Sequence, residues 1–371
     1  MAGLPLSLLL ACMAGWFGAA APAQAQPLPP VFAIRQGELH GLIDREGRVI
    51  VPAEFEELKA GEPLILVRKA ARTAFLDYSG QMVIQPQSEL TQPFAQGLAP
   101  AALRDAQGKT RYGYVDAQRK PVIAAAYAQA EGFVDGLAVV GVEDAWGALR
   151  YGAIDRRGQW VLQPVHEKIL PHAGGVLRVE GKGRVHRAYG RDGRDITPAG
   201  VDFVGVTSEG MVRIWSARKQ GFMSAAGELV VAPRYDQAGD FRDGMAKVWV
   251  DGKYGFIDRQ GRLAVAPRFD TAEDFSDGLA LVKEGGLALY VDRQGQTVLR
   301  PEADRAYPFA EGLAVVRRGQ GYGFIDRAGK TVIEPRFSFA RPFKDGLAFV
   351  TEGRASGYIR PDGRYAWRAE R

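Results

Sequence analysis

The chain has 371 residues, 46% of them apolar, 25% charged and 10% aromatic, a composition that fits a folded chain and excludes general disorder. Its 48 Lys and Arg against 43 Asp and Glu leave a net charge of +5, dispersed along the chain, which favours anionic surfaces weakly and is no nucleic-acid signature. Asn is absent, so tight turns have to rely on Gly and Asp.

Residues 1–25 stand apart. They carry no charged side chain, run apolar from Leu4 to Phe17 and end in Ala23-x-Ala25, the pattern of a signal-peptidase site. The reading is a signal peptide over 1–25 and a mature chain over 26–371. The n-region has no Lys or Arg, and the amino terminus supplies its positive charge. The apolar run is shorter than the ~20 residues of a membrane span. Cys12, the sole cysteine, lies in this leader. The stretch Leu9-Leu10-Ala11-Cys12 superficially resembles a lipoprotein site, but Leu10 fits poorly and the apolar run continues beyond Cys12. Cleavage after Ala25 leaves a mature chain with no thiol, hence no disulfide and no thiolate metal site. Packing alone must then supply stability.

From Val31 onward the chain repeats itself. Val31-Phe-Ala-Ile34 and Leu39-His-Gly-Leu-Ile-Asp44 read as strands of a partial first unit. Phe-x-x-Gly-Leu-Ala follows at 94–99, 133–138, 275–280, 309–314 and 343–348, with Met245 in place of Leu at 241–246. His172 and Thr207 fall where the Phe belongs in the weaker copies. Between copies lies a second phrase, aromatic-Gly-apolar-Ile/Val-Asp-x-x-Gly, as at 254–261 and 322–329. A fixed period marks a tandem-repeat architecture. We count about nine units of 34–39 residues between His40 and Glu352, with partial units at both ends.

The unit at 244–269 is the clearest. Met245-Ala-Lys-Val-Trp-Val250 reads as a strand, Asp251-Gly252 as a hairpin turn and Tyr254-Gly-Phe-Ile-Asp258 as a second strand. Asp258-Arg-Gln-Gly261 is a further turn, and Arg262-Leu-Ala-Val-Ala266 a third strand that Pro267 ends. Each unit is thus a three-stranded meander, marginal alone and stabilised by its neighbours. Helix-period patterning is almost absent. The expectation is an all-β curved open array, since 34 residues are few for a four-stranded blade. The alternative is a closed propeller-like ring. At the far end, Ser356-Gly-Tyr-Ile359 and Asp362-Gly-Arg-Tyr-Ala-Trp367 begin a unit that lacks its Pro.

The sequence Tyr254-Gly-Phe-Ile-Asp-Arg-Gln-Gly, then Val265-Ala-Pro-Arg-Phe269, then Phe275-Ser-Asp-Gly-Leu-Ala280, resembles the WG (KWG) repeat of bacterial proteins. The resemblance covers the whole mature chain, because several anchors recur in order. Tyr mostly stands for the Trp, as at Tyr112, Tyr151, Tyr254 and Tyr322. Arg119 replaces a turn Gly, Ala125 a Pro and Ser224 a turn Asp. The resemblance implies a β-repeat interaction scaffold and brings no catalytic residues with it.

The polar candidates follow the repeat. The recurrent Asp44, Asp77, Asp116, Asp155, Asp258, Asp292 and Asp326 supply one carboxylate per turn, too few for a calcium loop, and read as turn formers. Asp135, Asp243, Asp277, Glu311 and Asp345, each before the Gly of the first phrase, favour that turn and sit in register along one edge. His40, His166, His172 and His186 lack metal-ligand spacing. The tryptophans share no repeat position and read as packing. Arg234, Arg268 and Arg336 follow the Pro anchor, and Arg45, Arg156, Arg259, Arg293 and Arg327 follow the turn Asp. Either set would form a basic ladder if units stack.

The sequence therefore points to a non-enzymatic, exported scaffold, periplasmic or secreted, that takes no cofactor and binds a protein or an anionic envelope polymer. Arg234, Arg268 and Arg336 are its candidate binding residues. The alternatives are an envelope enzyme with a site at the irregular fifth unit, where Glu180, His186, Asp192 and Asp195 gather, or a purely structural envelope component.

Overall fold

The computed structural model describes residues 28–87, 89, 90, 92–181 and 186–369. The leader, with Cys12 and the Ala25 cleavage point, lies outside them. Among the described residues there is no helix, and the strands form ten antiparallel sheets that succeed one another along the chain. We number these blades 1 (residues 32–55), 2 (57–87), 3 (99–127), 4 (129–166), 5 (169–189), 6 (203–235), 7 (237–269), 8 (271–299), 9 (305–337) and 10 (339–368). Blades 1, 3 and 5 have three strands and the other seven have four.

Blade 7 shows how a short unit makes four strands. Met245–Val250 and Lys253–Asp258 are the expected first two strands, whereas the third, expected over 262–266 and ended by Pro267, runs as Leu263–Phe269 through that proline. Gln237–Ala238, read from the sequence as a crossing segment, pairs with Val248 and Trp249 as a two-residue first strand. Asp270 alone then separates blade 7 from Thr271–Ala272, the first strand of blade 8. A fourth strand costs the unit only two residues, so 34 residues suffice for a blade.

Two backbone constraints fix the phrases. In the first, Arg242 bridges Met245 across Asp243 (φ 50°) and Gly244 (φ 77°), a two-residue hairpin with both central residues left-handed. Without Asn, the first of these places goes to Asp, Glu or Gln: Gln96, Asp135, Glu209, Asp243, Asp277, Glu311 and Asp345 all have positive φ. In the second phrase, Tyr254 pairs with Phe269 and Phe256 with Val265, so a bulge of the third strand lies opposite Gly255. A Cβ on Gly255 would sit 2.5 Å from the Val265 carbonyl oxygen, which is why Gly follows the aromatic residue. The Pro sits in the bulge, where no ladder donor is required.

The core lies between the blades. In blades 7 and 8, Met245, Phe256, Val265 and Phe269 pack with Phe275, Ala280, Val282 and Leu289. Such clusters span each pair of consecutive blades from 1–2 to 9–10. A further cluster joins Phe32, Ile34 and Ile43 of blade 1 to Leu347, Tyr358 and Trp367 at blade 10. Ten blades with ten boundaries make a closed ring, a ten-bladed β-propeller, and not the open array. The seam carries no strand pairing: Tyr358 Oη donates to the Ala33 carbonyl at 2.8 Å and Arg360 to the Glu46 carbonyl at 2.7 Å. The chain ends, read as partial units, form blades 1 and 10, each with its own sheet.

The repeated Phe explains the boundary. It inserts against the aromatic residue of the preceding blade: Phe94 on Phe75, Phe133 on Tyr114, Phe241 on Phe222, Phe275 on Phe256, Phe309 on Tyr290 and Phe343 on Phe324, with centroids 4.7–5.1 Å apart. Such pairs favour edge or tilted geometry. Phe275→Ala should lower the unfolding free energy by about 3–5 kcal/mol, read as a lower midpoint in urea denaturation. Arg119, left-handed at φ 63° in a turn-glycine position, sets a second test. Arg119→Gly should stabilise by ~0.5–1 kcal/mol in the same assay, and a destabilised variant would contradict the strain argument.

Candidate functional site

The Arg234, Arg268 and Arg336 ladder lies at blade boundaries. Each guanidinium donates to the turn-glycine carbonyl of the following blade, on Gly261 (3.2 Å), Gly295 (2.6 Å) and Gly363 (3.0 Å). Each also stacks over the next residue, Tyr235, Phe269 or Phe337. Arg268 and Arg336 add ion pairs to Glu284 and Glu352 of the following blades, and their side chains stay 42% and 46% exposed. The positions are equivalent, and all three side chains join neighbouring blades. Their outer edges face solvent.

The acidic row is also structural. Gly N–H groups of the following blade donate to Gln96 (2.8 Å), Asp135 (3.3 Å), Glu209 (2.9 Å), Asp243 (2.8 Å), Asp277 (2.6 Å) and Glu311 (2.9 Å). Arg259 pairs with Glu209 at 2.7 Å, Arg327 with Asp277 at 4.0 Å and Arg191 with Asp135 at 4.0 Å. At the seam, Arg45 of blade 1 lies close against Gly346 at blade 10. The second recurrent Asp caps its own turn, as Asp258 Oδ1 accepts from the Gln260 and Arg262 N–H groups. Ser224 Oγ does the same for Ala226 and Glu228.

In blade 5, Glu180 pairs with His186 across two strands and makes an ion pair with Lys168 at 2.9 Å. Asp192 and Asp195 each contact an arginine, Arg194 and Arg187. His186 is only 6% exposed and packs on Phe203 with centroids 4.0 Å apart. Burial pushes its pKa below the usual value, as it does for His166. His172 lies on the strand Ile169–Ala173, and its side chain is not among the described parts. Among the described residues no group of three or more His, Asp or Glu is placed to hold a metal ion. Trp146, expected to pack, stands 90% exposed at a hairpin tip of blade 4.

Sequence reasoning missed a cleft of about 470 Å³ between blades 8 and 9. Its origin is legible once the units are superposed at their 34-residue offset. In blade 7, Trp249 and Tyr254 meet edge to face with centroids 4.5 Å apart, Phe269 is fully buried, and Lys247 crosses to the Ala272 carbonyl (3.3 Å) and Asp274 (3.1 Å). In blade 6, Arg213 likewise crosses to Asp240 at 3.3 Å. In blade 8 the corresponding residues are Lys283, Ala288, Ala303 and Leu281, with Pro308 where Asp274 would be. Large rings and a cationic bridge are replaced by small or differently directed side chains, and the space opens. Leu289 replaces the close-approach Gly, so the third strand ends at Leu299. Lys283, Arg305, Glu273 and Asp304 rim the cleft and are exposed. Arg305 stacks over Tyr307 at 5.0 Å. A smaller cleft of about 340 Å³ lies beside Gln129 and Glu131 of blade 4, at the places of Thr271 and Glu273.

The family described as WG containing repeat matches residues 41–69, 75–105, 112–146, 221–254, 254–287, 290–321 and 322–353, more than half of the chain. No curated protein matches the sequence. Among solved structures, a eukaryotic initiation factor is 11% identical, covering 92% of this chain and 96% of that one at a TM-score of 0.48. The extracellular domain of a putative hybrid two-component system from B. thetaiotaomicron is 13% identical, covering 93% and 65% at 0.24. PorZ, a surface component of the type-IX secretion system of Porphyromonas gingivalis, is 9% identical, covering 88% and 60% at 0.26. At these scores the likenesses carry nothing about function.

The buried histidines set a pH dependence. With folded pKa values below 6.5, the unfolded chain binds protons first, so their stability contribution is present above the unfolded value and is lost as pH falls from there through the folded values. The melting temperature should therefore drop between about pH 7 and pH 5. His186→Phe should flatten that drop. An unchanged slope in the variant would remove His186 from the account.

Proposed function

The chain belongs to the WG containing repeat family, and from that premise we infer that it is a non-enzymatic, exported scaffold whose ring binds a polymer or protein of the cell envelope. The observation that carries this reading is that one repeat accounts for the whole described chain. No second domain interrupts it among the described residues. Repeat assemblies present extended surfaces suited to long ligands. Export is argued from residues 1–25, with cleavage after Ala25, which places the mature chain in the periplasm or outside the cell. Among the described residues no helix is long and apolar enough to cross a membrane.

An anionic polymer is favoured over a neutral one by the net charge of +5 and by the exposed edges of Arg268 and Arg336. Because these arginines also join blades, their charge reversal would perturb the ring as well as the surface. The direct test is co-sedimentation of residues 26–371 with isolated cell-wall sacculi at low and moderate salt. Pelleting that weakens with salt is expected. Protein that stays in the supernatant at both salt levels would overturn the polymer reading and direct the search to protein partners.

A further inference from the structure

We propose that the cleft between blades 8 and 9 is a binding site for a short peptide segment carrying a free carboxylate. This deepens the scaffold reading and rests on it only for the origin of the peptide. The volume of about 470 Å³ falls in the ~300–1,000 Å³ range of ligand pockets. The site is a specific departure from the repeat. Where blade 7 fills the equivalent space with Trp249, Tyr254 and Phe269, blade 8 has Lys283, Ala288 and Ala303. Where Lys247 bridges to Asp274, the equivalent positions hold Leu281 and Pro308, both lining the cleft. The result is an apolar floor reached between neighbouring blades.

The rim supplies the polar recognition. Among the described residues, neither Lys283 nor Arg305 has an acidic partner within 4.0 Å, unlike Arg268 and Arg336, which pair with Glu284 and Glu352. Arg305 is held in place by its stack on Tyr307. Tyr307 is in turn fixed through its carbonyl, which accepts from Tyr290 Oη at 2.6 Å. Two exposed cations beside an apolar floor favour a carboxylate on an aliphatic body. Glu273, which also lines the cleft, gives an acceptor for a peptide N–H or ammonium group. Asp304 is engaged elsewhere, since its Oδ2 accepts the Gly319 N–H at 2.6 Å. A sugar without charge would leave both cations unanswered, whereas a peptide carboxylate answers them.

The test is calorimetric titration of residues 26–371 with the tetrapeptide Lys-Ala-Glu-Ala, free at its C-terminus, against Lys-Ala-Gln-Ala amide. Saturable binding of the acidic peptide is expected, with at least tenfold weaker binding of the amide. Lys283→Gln and Arg305→Gln should each weaken the acidic peptide several-fold. The double variant Leu281→Lys with Pro308→Asp rebuilds the bridge of blade 7 and closes the cleft. It should abolish peptide binding while the protein still unfolds in one cooperative transition. No saturable binding by the unaltered protein, equal binding of the amide, or full binding by the closed variant would overturn the proposal. Sacculus pelleting separates the two readings. If the unaltered protein pellets yet does not bind the peptide, the scaffold stands and the cleft proposal falls. If closing the cleft removes both, the peptide belongs to the wall; if it removes only peptide binding, the ligand is a protein segment.

Discussion

An aromatic ring pushed across six of the ten blade boundaries holds this molecule together. Sheets of three or four short strands bury too little within themselves to stand alone. The repeated Phe solves this by leaving its own blade and packing on the aromatic residue of the one before, as Phe275 does on Phe256 and Phe343 on Phe324. Where a tyrosine receives it, the hydroxyl also finds a partner in the following blade, as Tyr114 Oη donates to the Glu131 carbonyl at 2.7 Å. The apolar core is therefore shared out in boundary-sized portions, with no single centre.

The polar part of the repeat serves the same boundary. A left-handed Asp or Glu at the hairpin is a strained choice, and its carboxylate gains a Gly N–H of the next blade in return, as Asp277 does from Gly312. The arginines after the Pro anchor reach the next turn in the same direction. Each blade thus carries acceptors and donors that only a successor of the same sequence can satisfy. Regular copies bind each other; irregular ones leave room, and the cleft at blades 8 and 9 is the largest such departure described above.

Much of this was readable from residues alone. The first two strands of blade 7, the Asp251-Gly252 hairpin and the turn role of Asp258 follow from turn chemistry and alternation and are found as expected. The third strand instead continues through the Pro267 expected to end it, because the bulge there needs no ladder donor. The family was legible from Tyr254, Gly255, Pro267 and Phe275 in fixed order. The ring stood only as the alternative to an open array, because closure depends on a small rotation per unit that no local pattern encodes. The two-residue strand Gln237–Ala238 is too short to show periodicity, and its omission made the unit look too small for a blade. The acidic row was read as a turn preference, since an interblade acceptor cannot be told from a hairpin former without the neighbour. The cleft had a visible signal in the small residues Ala288 and Ala303 of one unit, which gains meaning only when the units are superposed in space.

Closure of the ring turns the number of repeats into a geometric condition. In a linear stack a unit can be lost or gained at the cost of one interface. Here ten rotations must sum to one full turn, so that Tyr358 meets Phe32 and Arg360 meets Glu46. A shift of angle at any boundary is passed to the seam, which is held by side-chain packing and isolated hydrogen bonds with no strand exchange. The seam is the place where distortion anywhere in the circle is felt, and the number of repeats fixes shape as well as length.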